Sequence, residues 1–340
     1  MKTAPLIVAV LSTVAMLCVL AYPNQARANP ELILEPGFET VNNWVFDWTD
    51  ADFSGAQSES WGNKTGTYSY LISGAGVNIT GGKYGEVYQG DGLNTVDFTS
   101  IDTVSFDTSL SASVANFTAD MLVSDTSVWS QAVPTSATEY MHQEVDVSGY
   151  TGIQYIRFRI TCNTTSNNCN LACYFDNIKI WGSYSNTGRT TVSNNFSTYG
   201  VSVYMYGENF DTSGTYKVGY YDGGTAHDGA NGALLQTDTY TNDPDGILDT
   251  SLIRPADFPS SSYGTWHAVV YKTTGSMPDP YSSVSKGDTA YTVTDSFTVT
   301  VDCIPEFPTR FAAVGVGGLC FGIYRWMRRR RSACQGPESL

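Results

Sequence analysis

The chain has 340 residues, with 33 Asp+Glu against 18 Lys+Arg and a formal net charge of −15 at pH 7. That balance speaks against nucleic acid and anionic lipid as partners, because phosphate recognition needs a positive face. It suits a surface protein kept soluble by self-repulsion, or one that neutralises carboxylates with calcium. Tyr, Thr, Ser, Gly and Val dominate while Lys, Glu and Leu are scarce. β-Branched and aromatic residues favour strands, so the composition predicts an all-β protein.

Met1 to Ala28 reads as a signal peptide. Lys2 is a minimal basic region, Leu6 to Leu20 is the apolar core, and Ala26-Arg27-Ala28 is the cleavage site. An uncleaved anchor is the alternative. The exported segment that follows, 29–302, is long enough for two domains with their own cores.

From Glu31 to Gly182 short strands alternate with turn clusters, without a helical period. Phe117, Ala119, Met121 and Val123 share one face of a run, and Ile156, Phe158 and Ile160 alternate with Arg157 and Arg159. Such runs describe strands packed on one side and wet on the other. Some 150 residues of that pattern fit a two-sheet jelly roll over 29–183. The phrases Pro36-Gly37-Phe38-Glu39, followed by Trp44, and Phe175-Asp176-Asn177-Ile178 resemble the opening and closing strands of galactose-binding-like jelly rolls. Val147-Ser148-Gly149-Tyr150 is typical of the same family, to which many carbohydrate-binding modules belong.

Asp176 has the strand parity of Ile178 and Ile180, so its carboxylate is expected to point inward and to need a partner. The resemblance implies that Glu39 and Asp176 meet around a structural Ca2+. A pair with Arg157, or a buried hydrogen-bond hub, is the alternative. Sugar modules stack apolar sugar faces on exposed rings, and the ligand-binding candidates are Trp48, Trp61, Tyr84, Tyr88 and Trp129. Trp44 is expected in the core.

Cys162, Cys169, Cys173 and Cys303 fall in the exported part, whereas Cys18, Cys320 and Cys334 lie in the terminal segments. No histidine sits near the first three, so a loop-closing disulfide is favoured over zinc. The stretches 153–161 and 173–181 read as an antiparallel hairpin. It would bring Cys162 beside Cys173, with Cys169 as the alternative partner. The sequons at Asn63, Asn78, Asn116, Asn163 and Asn195 are consistent with a glycoprotein.

Residues 184–189 form a short polar linker. The alternating runs over 190–302 suggest an immunoglobulin-like sandwich. Thr215 to Gly223 and Gly264 to His267 look similar to the Ig-like spacers that precede surface-sorting tails. Asn242-Asp243-Pro244-Asp245-Gly246 reads as a turn between strands.

The tail, 304–331, opens with Pro305-Glu306-Phe307-Pro308. It continues through an apolar run from Phe311 to Tyr324, and ends in Arg325 and Arg328 to Arg331. The run is shorter than the ~20 residues of a usual helical span, and the arginines place its end on the cytoplasmic side, with 332–340 as a cytoplasmic tail. Motif, span and basic cluster in this order resemble the PEF-CTERM signals of prokaryotic surface proteins. Those are processed by a sorting transpeptidase of the exosortase/archaeosortase type. A plain transmembrane anchor is the alternative.

The leading functional expectation is therefore a non-catalytic cell-surface protein whose jelly roll binds glycan or another surface polymer. An extracellular polysaccharide hydrolase or lyase is the second, since some jelly rolls cleave polysaccharide, but no paired-carboxylate motif or nucleophile elbow is legible. A purely structural surface-layer component is the third.

Overall fold

The computed structural model describes residues 33, 37–38, 44–59, 67–89, 96–185, 188, 192–197, 202–223, 232–241, 245–251 and 264–300. The signal peptide, the tail with Pro305 to Pro308, Glu39, Trp61, Cys303 and the Asn242 to Pro244 turn lie outside them. Among the described residues the regular structure is strand, with two single 3-10 turns. None of their helices is long and apolar enough to cross a membrane.

Strands β1 (Val45–Trp48), β4 (Tyr84–Gln89), β11 (Ile156–Cys162), β7 (Phe117–Val123) and β8 (Thr126–Ala132) form one antiparallel sheet in that order. Facing it is a sheet ordered β2 (Ser54–Ser58), β3 (Ser69–Ile79), β12 (Ser166–Tyr184), β6 (Thr103–Ala112), β9 (Met141–Asp146). The two orders run in step, so the chain repeatedly crosses from one sheet to the other. A small ladder of β5 (Val96–Asp97) and β10 (Ile153–Gln154) lies beside them. The predicted alternations are met: Phe117, Ala119, Met121, Val123, Ile156, Phe158 and Ile160 are all buried in one core. At its centre Phe158 lies 5.0 Å from Phe106 and 4.8 Å from Phe175, centroid to centroid. Trp44 is buried in it as well.

Two expectations fail here for physical reasons. First, β11 and β12 are consecutive but belong to opposite sheets, so they do not form a hairpin. β11 pairs with β4 and β7, whereas Cys173 lies opposite Leu110 and Ile72. Cys162 and Cys173 are therefore not bonded, and Cys162, Cys169 and Cys173 are all buried free thiols. Second, β12 carries a bulge. Asp176 opposes Asp107 while Lys179 opposes Ser105, so β12 spends one residue more than β6 over the same interval. Asn177 takes φ 57 there, a left-handed conformation that asparagine tolerates better than most residues. Parity is reset across the bulge. Ile178 and Ile180 face the core, and Asp176 shares the opposite face with Asp107.

The second sandwich grows from the first. The end of β12, from Ile180 to Tyr184, pairs with β14 (Tyr204–Glu208), which pairs with β17 (Leu248–Ser251). The facing sheet runs β13 (Asn195–Ser197), β19 (Tyr291–Thr300), β18 (Gly264–Lys272), β15 (Thr215–Tyr221), β16 (Leu234–Thr241), with β13 parallel to β19. Between them lies a second core that includes Trp181, Met205, Val218, Trp266 and Phe297. Both cores thus meet on one continuous strand.

Candidate functional site

The outward face of the β4–β11 ladder brings together rings and charges. Period-two alternation puts Tyr84, Glu86 and Tyr88 outward on β4, because Val87 between them is core. On β11 the same logic turns Arg157 and Arg159 outward, with Tyr155 just before the strand. Register sets Arg157 opposite Tyr88, Arg159 opposite Glu86 and Thr161 opposite Tyr84. Glu86 is only 2 % exposed and accepts from Arg157 at 3.0 Å and from Arg159 at 2.7 Å. The guanidinium of Arg159 lies 4.1 Å from the Tyr84 ring centroid, and that of Arg157 lies 5.0 Å from Tyr155 and 5.5 Å from Tyr88. Tyr88 and Tyr155 meet edge to face at 6.0 Å. A buried carboxylate thus fixes two guanidiniums, and these fix three rings by cation–π contact. Asp120 opposite Arg159, and Asp125 at 3.8 Å from Arg157, border the patch.

Such a face offers flat apolar rings with charged donors between them. Rings of this kind can cover the C–H face of a pyranose, while hydroxyls find donors and acceptors at the edges.

The five aromatic candidates do not share this face. Tyr84 and Tyr88 are on it. Trp48, 49 % exposed, has the parity of Phe46 and stacks on it at 5.5 Å, on the other side of β1 from the face. Trp129 packs edge-on to Phe106 at 5.2 Å and donates its indole N–H to Gln143 at 3.0 Å, so it closes the rim of the core. Trp61 is outside the described residues. Sequence reasoning missed Tyr155, 36 % exposed, together with the roles of Glu86, Arg157 and Arg159. Extending the Ile-x-Phe-x-Ile alternation one step back would have found Tyr155.

A second polar cluster covers the outer side of the other sheet. Asp176, Asp107 and His142 are aligned across β12, β6 and β9, and Lys179, Ser105 and Glu144 form the next row. Asp107 contacts His142 at 3.1 Å and accepts from the Asn177 amide at 2.7 Å. Asp176 is fully buried and accepts from the Asn177 backbone N–H at 2.7 Å. From the second sandwich, Lys286 and Tyr291 bond to Glu144, and the Thr294 N–H donates to it at 2.8 Å. Burial works against the charged forms of Asp107 and Glu144. Hydrogen bonds, with His142 first for both, nevertheless hold them below the usual carboxylate range. Among the described residues no three His, Cys, Asp or Glu gather as a metal site. Glu39 is not among them.

No protein-family model matches the sequence, and no curated protein matches it. Among solved structures the chain is similar to CBM27-1 of Caldicellulosiruptor saccharolyticus in complex with mannohexaose. The identity is 14 %, over 42 % of this chain and 93 % of that one, with a TM-score of 0.33. It is similar to TmCBM61 in complex with β-1,4-galactotriose at 14 % identity, over 43 % and 94 %, with a TM-score of 0.29. It is also similar to the Endo-D glycoside hydrolase domain of Streptococcus pneumoniae R6 at 12 % identity, over 75 % of this chain but 37 % of that one, with a TM-score of 0.29. At such low TM-scores the functional reading has to stand on this chain's own residues.

Proposed function

We propose that the chain is an exported, non-catalytic glycan-binding protein, and that its jelly roll grips sugar through Tyr84, Tyr88 and Tyr155. The observation that carries this reading is the Tyr84–Arg159–Glu86–Arg157–Tyr88/Tyr155 array: outward-facing rings, Tyr155 exposed and Tyr84 and Tyr88 half-buried, held in place by an internal ion-pair clamp. Preorganised rings lose little entropy on binding, which is what a weak surface ligand requires. The carboxylate within the face, Glu86, is engaged by two arginines. Such a group serves as an anchor and is poorly placed to act as a general acid or base. In this reading the second sandwich is an Ig-like spacer, and the PEF-type tail is the substrate of a sorting transpeptidase at the cell surface. Calcium held by Glu39 and Asp176 remains part of the proposal, resting on the jelly-roll resemblance and on the complete burial of Asp176.

The test is retention of the purified chain on immobilised β-mannan, β-1,4-galactan and a uronic-acid polysaccharide, with release of reducing ends measured in parallel. Retention without release supports binding. Release of reducing ends would make it a hydrolase, and neither retention nor release would make it a structural component.

A further inference from the structure

Where the two sandwiches join, two buried carboxylates face each other. Asp102 sits just before β6 and is 1 % exposed; Asp295, on β19 of the second sandwich, is also buried. Asp295 stands opposite Ala268, whose carbonyl accepts from the Trp181 indole, and Trp181 leads directly into Gly182 and Ser183 beside Asp102. One Asp102 oxygen accepts from the Asn194 amide at 3.1 Å and the other from the Ser183 N–H at 3.2 Å. The Ser183 hydroxyl donates to the Ser193 carbonyl at 2.8 Å and lies 3.0 Å from Asn194 Oδ1. Asp295 Oδ2 is buried without a hydrogen-bond partner. Gly182 makes the room: a Cβ there would stand 2.3 Å from the Asp102 Cβ.

Several other buried or paired acids of this protein face cations. Glu86 has Arg157 and Arg159, Glu144 has Lys286, and Asp211 has Lys272. Asp102 and Asp295 instead feel each other, and both feel the negative charge of Asp146. Burial first, and the charge of Asp146 after it, push Asp102 up to about 6 against hydrogen bonds that pull it down, and burial and then Asp102 push Asp295 well above the usual carboxyl range. Ionising both acids in so dry a joint requires a compensating positive charge. Beside the two N–H groups that meet Asp102, the joint offers oxygens of the hard kind that calcium selects: carboxylate, amide carbonyl and hydroxyl.

We propose that a calcium-type divalent cation binds at this joint through Asp102 and Asp295, with Asn194 and Ser183 completing the oxygen set, and fastens the two sandwiches together. This site is separate from the one expected at Glu39 and Asp176, and it does not depend on glycan binding.

Terbium is a suitable probe. Trp181 lies beside the joint: its indole N–H reaches the carbonyl of Ala268, the residue opposite Asp295 in the β18–β19 ladder. The chelator-treated full chain, titrated with Tb3+ and excited at tryptophan, should show sensitised emission that Ca2+ displaces. Calcium should also raise the melting temperature, on the order of 5 °C at saturation. Asp295→Asn and Asp102→Asn should each remove the emission and the part of the shift that belong to this joint, whereas Asp176→Asn should keep that part. Calcium responses that survive Asp295→Asn unchanged would overturn the proposal. If that variant does not fold, the wild-type chain decides: no Ca2+-displaceable emission means the two acids share a proton and hold no cation.

Discussion

The indole N–H of Trp181 donates to the backbone carbonyl of Ala268 at 3.2 Å, across the second core, while the preceding residue on the same strand, Ile180, is packed in the first core. A strand that serves two cores cannot leave one without disturbing the other. The described sandwiches should therefore unfold in a single calorimetric transition. Trp181→Ala should cost ~3–5 kcal/mol and lower that transition as a whole. Two separated transitions in the wild-type chain would show that the sandwiches unfold independently.

Stability should also depend on pH through the contact between His142 and its acids. Burial opposes the charged imidazole, but hydrogen bonds and charges from Asp107 and Glu144 outweigh it, so the His142 pKa is raised. Lys179, Lys286 and Tyr291 complete the surroundings of those acids. A raised folded-state pKa gives a contribution that is fully present below the unfolded value of ~6.5 and lost as pH rises through the folded one. Asp107 and Glu144, held low, contribute above their unfolded values of ~4 and lose that contribution as pH falls through their folded ones. The melting temperature should peak in mildly acidic solution and decline on the alkaline side, and His142→Gln should flatten the alkaline limb. An alkaline limb unchanged in that variant would remove His142 from the account.

The thiols give a sharp test of topology. Burial pushes Cys173 up to about 12 and raises Cys162 and Cys169 as well. Alkylation of the native chain at neutral pH should be slow and should accelerate on unfolding. Under oxidation the pair that forms should be Cys162–Cys169, because Cys162 Sγ reaches the Ile79 carbonyl at 3.6 Å and Cys169 Sγ the Val77 carbonyl at 3.4 Å, two residues apart on β3. A peptide linking Cys162 to Cys173 would contradict the assignment of β11 and β12 to opposite sheets.

Removing the clamp should be costly. Glu86→Ala leaves Arg157 and Arg159 without their shared partner in a largely buried setting, and should destabilise by ~3 kcal/mol. Glu86→Gln keeps the shape and should cost less. Equal losses in the two variants would mean that the charge of Glu86 contributes nothing.

Much of the architecture could be read from alternation alone. Phe117 to Val123 and Ile156 to Ile160 are strands whose faces the sequence pattern assigns correctly, because a sheet with one dry side writes its period into the chain. What could not be read were the events that reset the period or choose a neighbour. The bulge at Asn177 leaves no mark in hydrophobicity, so Asp176 was given the parity of Ile178. The step from β11 to the opposite sheet depends on the tertiary path, so a short connection looked like a hairpin. At the site, Tyr84 and Tyr88 were found as exposed-ring candidates, whereas the clamp that organises them needs the register of two strands far apart in sequence. Trp129 misled because a tryptophan at a core rim and one on a binding face look alike in sequence.

The most direct measurement of the central claim is the affinity of the full chain for whichever panel polysaccharide retains it, compared among variants. Tyr88→Ala and Tyr155→Ala should each weaken binding by about 3- to 10-fold, the worth of one stacking ring, with the melting temperature little changed. Leu235→Ala, an exposed apolar change on the second sandwich, should bind like the wild type. Unaltered affinity in both tyrosine variants, with the fold intact, would contradict the assignment of this face as the glycan-binding site.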